Sequence, residues 1–214
     1  MKKIPTLFVR DYSQGGFVIP EVNPVAEWVM EDAYPAHRKY DGVCMGLFPT
    51  VKGEIRIEKG IGSGEIDVPE DIDAIWMARR EVKQGWEFPE DFVIEQFDSQ
   101  TKKTFGWVPA EQSPFYKYFL DALDDLQDRY FGTYELCGPK VNGNPEGFKA
   151  HKLVNHEQTE LISNVHVLDF HEMSVEDAYV ALKETLGYMP IEGVVWRSVK
   201  HGMVKLKKKD FQYE

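Results

Sequence analysis

Segments that read as strands are scattered along the whole chain, and the helical segments are grouped between them instead of alternating with them. Residues 43–48 and 54–58 flank a turn containing Gly53, the pattern of a hairpin. Residues 130–137, 191–198 and 203–207 are also strand-like. Ser113 and Pro114 supply a cap and a first-turn proline to a helix carrying Phe115, Tyr118, Phe119, Ala122, Leu123, Leu126 and Tyr130 on one face. Ser174 and Asp177 open a second helix, striped by Val175, Ala178, Tyr179, Leu182 and Leu186 and expected to end at Gly187. Further helices are expected over 71–83 and, shorter, over 24–30. Such an order favours an α+β layered fold over an alternating parallel one.

The chain has 214 residues, enough for one full domain or two small ones. No repeat, low-complexity tract or linker divides it, so a single domain over 1–214 is expected. No apolar run approaches the ~18 residues of a membrane span. The basic start and apolar stretch before Arg10 and Asp11 are too short for a signal peptide, so an intracellular, cytoplasmic location is expected (the host cytoplasm if the source is viral). Cys44 and Cys137 have no zinc-ribbon spacing and fit a reducing compartment. The net charge of −11 excludes a protein that coats nucleic acid through bulk positive charge. It leaves room for local basic clusters, at Lys205, Lys207, Lys208 and Lys209 and at Arg79, Arg80 and Lys83.

Several motif-like segments carry nothing. In Gly60-Ile61-Gly62-Ser63-Gly64 the third glycine is misplaced for a dinucleotide loop and no clear helix follows. There is no P-loop. His151 and His156 are poorly spaced for one helix face, lack a nearby cysteine in sequence, and read as ordinary polar residues.

Four segments together are more informative. In Lys39-Tyr40-Asp41-Gly42, the lysine and aspartate would point the same way on a strand, and the glycine allows close approach of backbone or ligand. Three fixed residues alone arise by chance in roughly one chain in forty of this length. Glu135 lies in the strand-like run ending at Cys137-Gly138-Pro139, and Glu192 heads the apolar run Gly193-Val194-Val195. A carboxylate in such a strand needs a cation, a metal or a hydrogen-bonding ligand. Lys205 and Lys207 flank Leu206, so both ammonium groups share one strand face, an arrangement suited to polyphosphate.

In this order the four segments resemble motifs I, III, IV and V of the covalent nucleotidyltransferase superfamily, which contains ATP-dependent DNA and RNA ligases and mRNA-capping guanylyltransferases. Gly106-Trp107-Val108-Pro109, Glu135-Leu136-Cys137-Gly138 with Asn142-Gly143-Asn144-Pro145, and Glu192-Gly193-Val194-Val195-Trp196 are similar to the compact RNA-ligase-1-like family. The resemblance runs from about Pro5 to Phe211. It implies a nucleotidyltransferase (ATP-grasp-like) core of antiparallel sheets flanked by helices, with a nucleotide pocket between the sheets. Seven residues follow Lys207, so a C-terminal OB-fold domain is not expected, which weighs against DNA ligases and capping enzymes.

The implied activity is RNA joining through a lysine–AMP intermediate and an adenylylated 5′ end. Lys39 would be the nucleophile, with Asp41 and Gly42 shaping its loop. Glu135 is expected near the ribose. Glu192 is expected to orient hydrated Mg²⁺ or Mn²⁺. Lys205 and Lys207 would neutralise phosphates and lower the pKa of Lys39. Arg56 would contact the ribose or the 5′-phosphate. Leu153 and Val154 lie in the segment expected to sandwich the adenine, with neither assigned. Arg38 stands where many RNA ligases carry an acidic residue. Partners would be ATP and RNA with 5′-phosphate and 3′-hydroxyl ends, with no membrane and no obligate protein partner. The alternatives are a DNA ligase, a capping guanylyltransferase, or a non-catalytic module that binds a nucleotide or an RNA end.

Overall fold

The computed structural model describes residues 3–32, 34–51, 54–56, 73–166 and 168–213. Gly53, the far end of its expected hairpin and the Gly60–Gly64 run lie outside the described residues. In chain order the strands are β1 (Phe8–Asp11), β2 (Phe17–Val22), β3 (Ala36–Lys39), β4 (Val43–Val51), β5 (Glu54–Ile55) and β6 (Ala74–Lys83). They continue as β7 (Val93–Asp98), β8 (Lys103–Pro109), β9 (Gly132–Cys137), β10 (Lys152–Asn155), β11 (Gly193–Ser198) and β12 (Gly202–Lys207). The α-helices are α1 (Trp28–Glu31), α2 (Tyr116–Asp124), α3 (Ser163–His166) and α4 (Val175–Tyr188). This is a mixed α+β fold of antiparallel sheets flanked by helices. No helix among the described residues is long and apolar enough to cross a membrane.

The chain forms two compact units. One comprises Asp41–Gln158 with Lys3, and the other Ile4–Tyr40 and Thr159–Glu214.

In the first unit the sheet runs β10-β9-β4-β6-β8-β7, with β5 on β4. One face packs Met45, Leu47, Ala78, Tyr134 and Leu136 against Phe119 and Ala122 of α2. The other face carries a smaller cluster of Phe48, Met77 and Trp107. The helix expected over 71–83 is strand β6 from Ala74 onward. Its Ala, Met, Arg and Glu residues favour a helix locally, but β4 and β8 pair with it on both sides and bury Met77 and Ala78 on opposite faces. Helix α2 stops at Asp124, well short of Tyr130. Asp121, Asp124 and Asp125 crowd its C-terminal end, where the helix dipole disfavours negative charge.

In the second unit, β12-β11-β3 form a three-stranded sheet, and β1 and β2 form a hairpin. The core gathers Leu7, Phe8, Trp28, Val194, Trp196, Val204, Leu206, Leu182 and Leu186. The Ser174 hydroxyl accepts from the Asp177 N–H at 3.1 Å, as the capping pattern requires. Gly187 does not end α4, which runs on to Tyr188. On β12, Val204 and Leu206 are 1% and 0% exposed, so the strand's other face carries Lys205 and Lys207. Each buried aliphatic side chain contributes about 1.5–3 kcal/mol. A one-residue slip would exchange both of them for lysines, and burial therefore fixes which way the lysines face.

Candidate functional site

The second unit brings Lys39, Glu192, Lys205 and Lys207 together on the side of its small sheet opposite the Val194, Trp196 and Leu206 core. Gly193 of the central strand pairs with Lys39 of β3 on one side and with Lys207 of β12 on the other. Val195 likewise lies between His37 and Lys205. The Glu192 side chain, 8% exposed, enters between the lysines. Lys39 Nζ donates to Glu192 Oε2 and to the Tyr40 carbonyl at 3.1 Å. Lys207 Nζ donates to Glu192 Oε1 at 2.5 Å, and Lys209 Nζ lies 3.8 Å from the same oxygen.

Backbone contacts hold this arrangement. The Lys208 N–H donates to the Glu192 carbonyl at 2.8 Å, and the Lys207 N–H donates to Asp210 Oδ2 at 2.9 Å. Buried Asp210 also accepts from Arg10 Nη2 at 2.5 Å. A Cβ on Gly193 would stand 2.2 Å from the Leu206 carbonyl oxygen and 2.7 Å from Lys207 Cα. Only glycine lets β11 and β12 meet this closely beside Glu192.

Burial pushes the Glu192 carboxyl up, but the ammonium groups of Lys39 and Lys207 outweigh it and hold the pKa below 4.5. Lys205 is shifted down. Burial, and then the charges of Lys207 and Lys39, bring it down to about 8. Arg10, Lys39, Lys205, Lys207 and Lys209 face Glu192 and Asp210, so the cluster is positive within an acidic protein. It suits a group with several anionic oxygens.

Asp41 does not share a strand face with Lys39, because β3 ends at Lys39 and Asp41 belongs to the first unit. There the Asp41 N–H donates to Glu146 Oε1 at 2.9 Å, and the Asp41 carboxylate accepts from Asn142 Nδ2 at 3.1 Å. Asn142 Nδ2 also donates to the Gly42 carbonyl at 2.9 Å. The Gly42 N–H donates to Glu135 Oε1 at 3.0 Å. A Cβ on Gly42 would lie 2.2 Å from the Leu136 carbonyl oxygen, so this loop rests directly on β9.

Glu135 is buried opposite Cys44 of β4 and Val154 of β10. Its Oε2 is 2.9 Å from His156 Nε2, and His156 Nδ1 is 2.8 Å from Thr133 Oγ1. Cys44 as a whole is half-buried, but its thiol is desolvated and faces Glu135, which pushes its pKa up to about 12. Arg56 follows β5 with an exposed side chain, 3.8 Å from Glu54, and its N–H donates to the Pro49 carbonyl. That end of β4 is about 20 Å of strand from Gly42. Leu153 is buried in the sheet's core.

Tertiary pairing supplies what the sequence reading missed. His156, read as an ordinary polar residue, meets Glu135 because β10 pairs with β9. Asn142 and Asp210 orient the Gly42 loop and Lys207, although neither was singled out for a role. Arg79, in the second basic cluster, pairs with Glu95 at 3.1 Å and lies over Phe105 and Trp107, a structural role in the sheet. A surface cavity of about 270 Å³ lined by Asp32, Tyr34, His166 and Phe170 holds none of the predicted site residues. Neither a scan of protein-family models nor a search of curated proteins finds a match for this chain.

Proposed function

We propose that this chain is an ATP-dependent RNA ligase whose reaction centre is the Lys39–Glu192–Lys205–Lys207 cluster. The observation that carries the reading is the arrangement of three lysines around one buried carboxylate, at the positions the resemblance assigns to the nucleophile, the motif IV acid and the motif V pair. The α+β fold is compatible with a nucleotidyltransferase core, which this reading adopts as its finer description.

In the first step Lys39 Nζ, having lost its proton, bonds to the α-phosphorus of ATP. The bond from phosphorus to the α–β bridging oxygen breaks, and pyrophosphate leaves. An oxygen of an RNA 5′-phosphate then bonds to the same phosphorus as the N–P bond breaks. Finally a 3′-hydroxyl attacks the activated 5′-phosphorus, losing its proton and releasing AMP. These are displacements at phosphorus, so positioning and charge neutralisation dominate. Lys205 and Lys207 meet phosphate oxygens, and Lys205, brought down to about 8, sheds its proton more readily than an ordinary lysine. Glu192 holds the Lys39 ammonium until nucleotide arrives.

Glu192 is the cluster's carboxylate, an oxygen donor of the kind hard cations take, and is the residue that would hold Mg²⁺ or Mn²⁺ once the lysines turn to phosphate. When bound, the ion supplies further neutralisation at phosphate. The roles of Asp41, Gly42, Arg56 and Glu135 rest on the resemblance. The acidic surface favours short RNA ends held by local lysines over a long RNA footprint.

The test is incubation with Mg²⁺ and α-labelled ATP or GTP, followed by addition of 5′-phosphorylated RNA. Covalent AMP that chases onto RNA and yields joined product supports the reading. Covalent GMP points to capping, transfer to nicked DNA alone points to a DNA ligase, and no label points to a binding module.

A further inference from the structure

We infer that Cys44, Glu135 and His156 form a site for a thiophilic divalent cation of the zinc class. The thiol sulfur, a carboxylate oxygen and an imidazole nitrogen lie within 4.8 Å of one another. All three belong to one compact unit, two on neighbouring strands and the third in the turn directly after the next strand. Cys44 pairs directly with Glu135 across β4 and β9, and His156 follows β10, which pairs with β9 on its other side. Cross-strand partners share a face, so Cys44 and Glu135 converge by register, and the turn after β10 brings in His156, 2.9 Å from Glu135.

The donor set is specific in its chemistry. Hard cations such as Mg²⁺ take oxygen ligands, whereas thiolate and imidazole with one carboxylate suit Zn²⁺. Tetrahedral zinc, with bonds of ~2.0–2.3 Å, separates its ligands by about 3.3–3.7 Å. The present spacing reaches that with small side-chain rotations. The His156–Glu135 contact of 2.9 Å opens slightly as the ion replaces it.

The surrounding contacts are those a metal centre uses. His156 Nδ1 lies 2.8 Å from Thr133 Oγ1, which orients the ring so that Nε2 faces the Glu135 oxygen. The second Glu135 oxygen accepts the Gly42 N–H and stays fixed when Oε2 turns to the ion. His156 is half-buried, so the site is approached from the side of its ring, and water is the fourth ligand the proposal requires. On binding, the Cys44 thiol loses its proton to solvent as the S–Zn bond forms, with no change of oxidation state. Nearby Arg79 and Glu95 offset one another in charge.

The probe is Co²⁺, titrated into the reduced, metal-free protein without nucleotide, followed by competition with Zn²⁺. The site predicts about one equivalent bound, with a thiolate-to-cobalt charge-transfer band that Zn²⁺ abolishes. Cys44→Ser should remove the band, and His156→Ala should weaken binding at least about tenfold. Cys137→Ser should leave the spectrum unchanged. A wild-type protein that binds Co²⁺ without a thiolate band, or not at all, overturns the site whether or not the variants fold. A band that persists in folded Cys44→Ser overturns it too. Because no nucleotide is used, either result is independent of the ligase reading.

Discussion

Lys39 and Lys207 are cross-strand partners of the same residue, Gly193, one from each side of β11, and both donate to the carboxylate of Glu192 beside it. Residues far apart in sequence are thus held with two ammonium groups on one buried acid. The sheet register fixes their backbones before any ligand binds, the kind of preorganisation the proposed reaction would draw on.

Glu192→Gln leaves these lysines without their counter-charge. Removing one partner of a buried ion pair costs about 3 kcal/mol or more, so the variant should be less stable at pH 7 by about that amount. The Glu192 pKa is held below 4.5 in the folded protein. Its contribution is therefore complete above the unfolded value and is lost as pH falls through the folded one. Urea denaturation should show the gap between wild type and variant closing below about pH 4.5.

Lys205→Met tests the opposite sign. The folded pKa of about 8 lies below the ordinary 10.5, so the unfolded chain binds more protons between those values and stability rises with pH there. Below pH 8 the wild type carries the full cost of a charged Lys205, at most about 3 kcal/mol. The variant should be the more stable protein at pH 7, with an advantage that shrinks as pH rises from 8 to 10.5. It should also form less covalent nucleotide. A stability difference that does not change with pH would contradict the assignment.

Gly42→Ala and Gly193→Ala each place a methyl group 2.2 Å from a backbone carbonyl oxygen. Replacing glycine ordinarily stabilises extended backbone by about 0.5–1 kcal/mol. Here the forced separation, of the Gly42 loop from β9 and of β11 from β12, should reverse the sign, with losses of about 1–3 kcal/mol in chemical denaturation. Neutral or stabilising substitutions would show that the close approaches are not required.

Much of this architecture was legible locally. The Ser174 cap and apolar stripe marked α4, and the alternation around Leu206 placed Lys205 and Lys207 on one face. Residues 74–83 misled, since a strand with apolar clusters on both faces shows no clean polar alternation, and its helix-favouring residues were overruled by pairing with β4 and β8. Asp41 looked like a strand partner of Lys39 because the end of β3 leaves no mark in the sequence. The meeting of Cys44, Glu135 and His156 depends on the β10-β9-β4 order, which no local spacing records.

The central claim is that Lys39 Nζ is the atom that receives the nucleotide. Peptide mapping by mass spectrometry, after incubation with ATP and Mg²⁺ or Mn²⁺, tests it directly. The account predicts an AMP adduct on Lys39, lost in acid and kept in alkali as a phosphoramidate should be, and absent from Lys39→Ala. An adduct on another residue, or a folded protein that carries none under either metal, would contradict it.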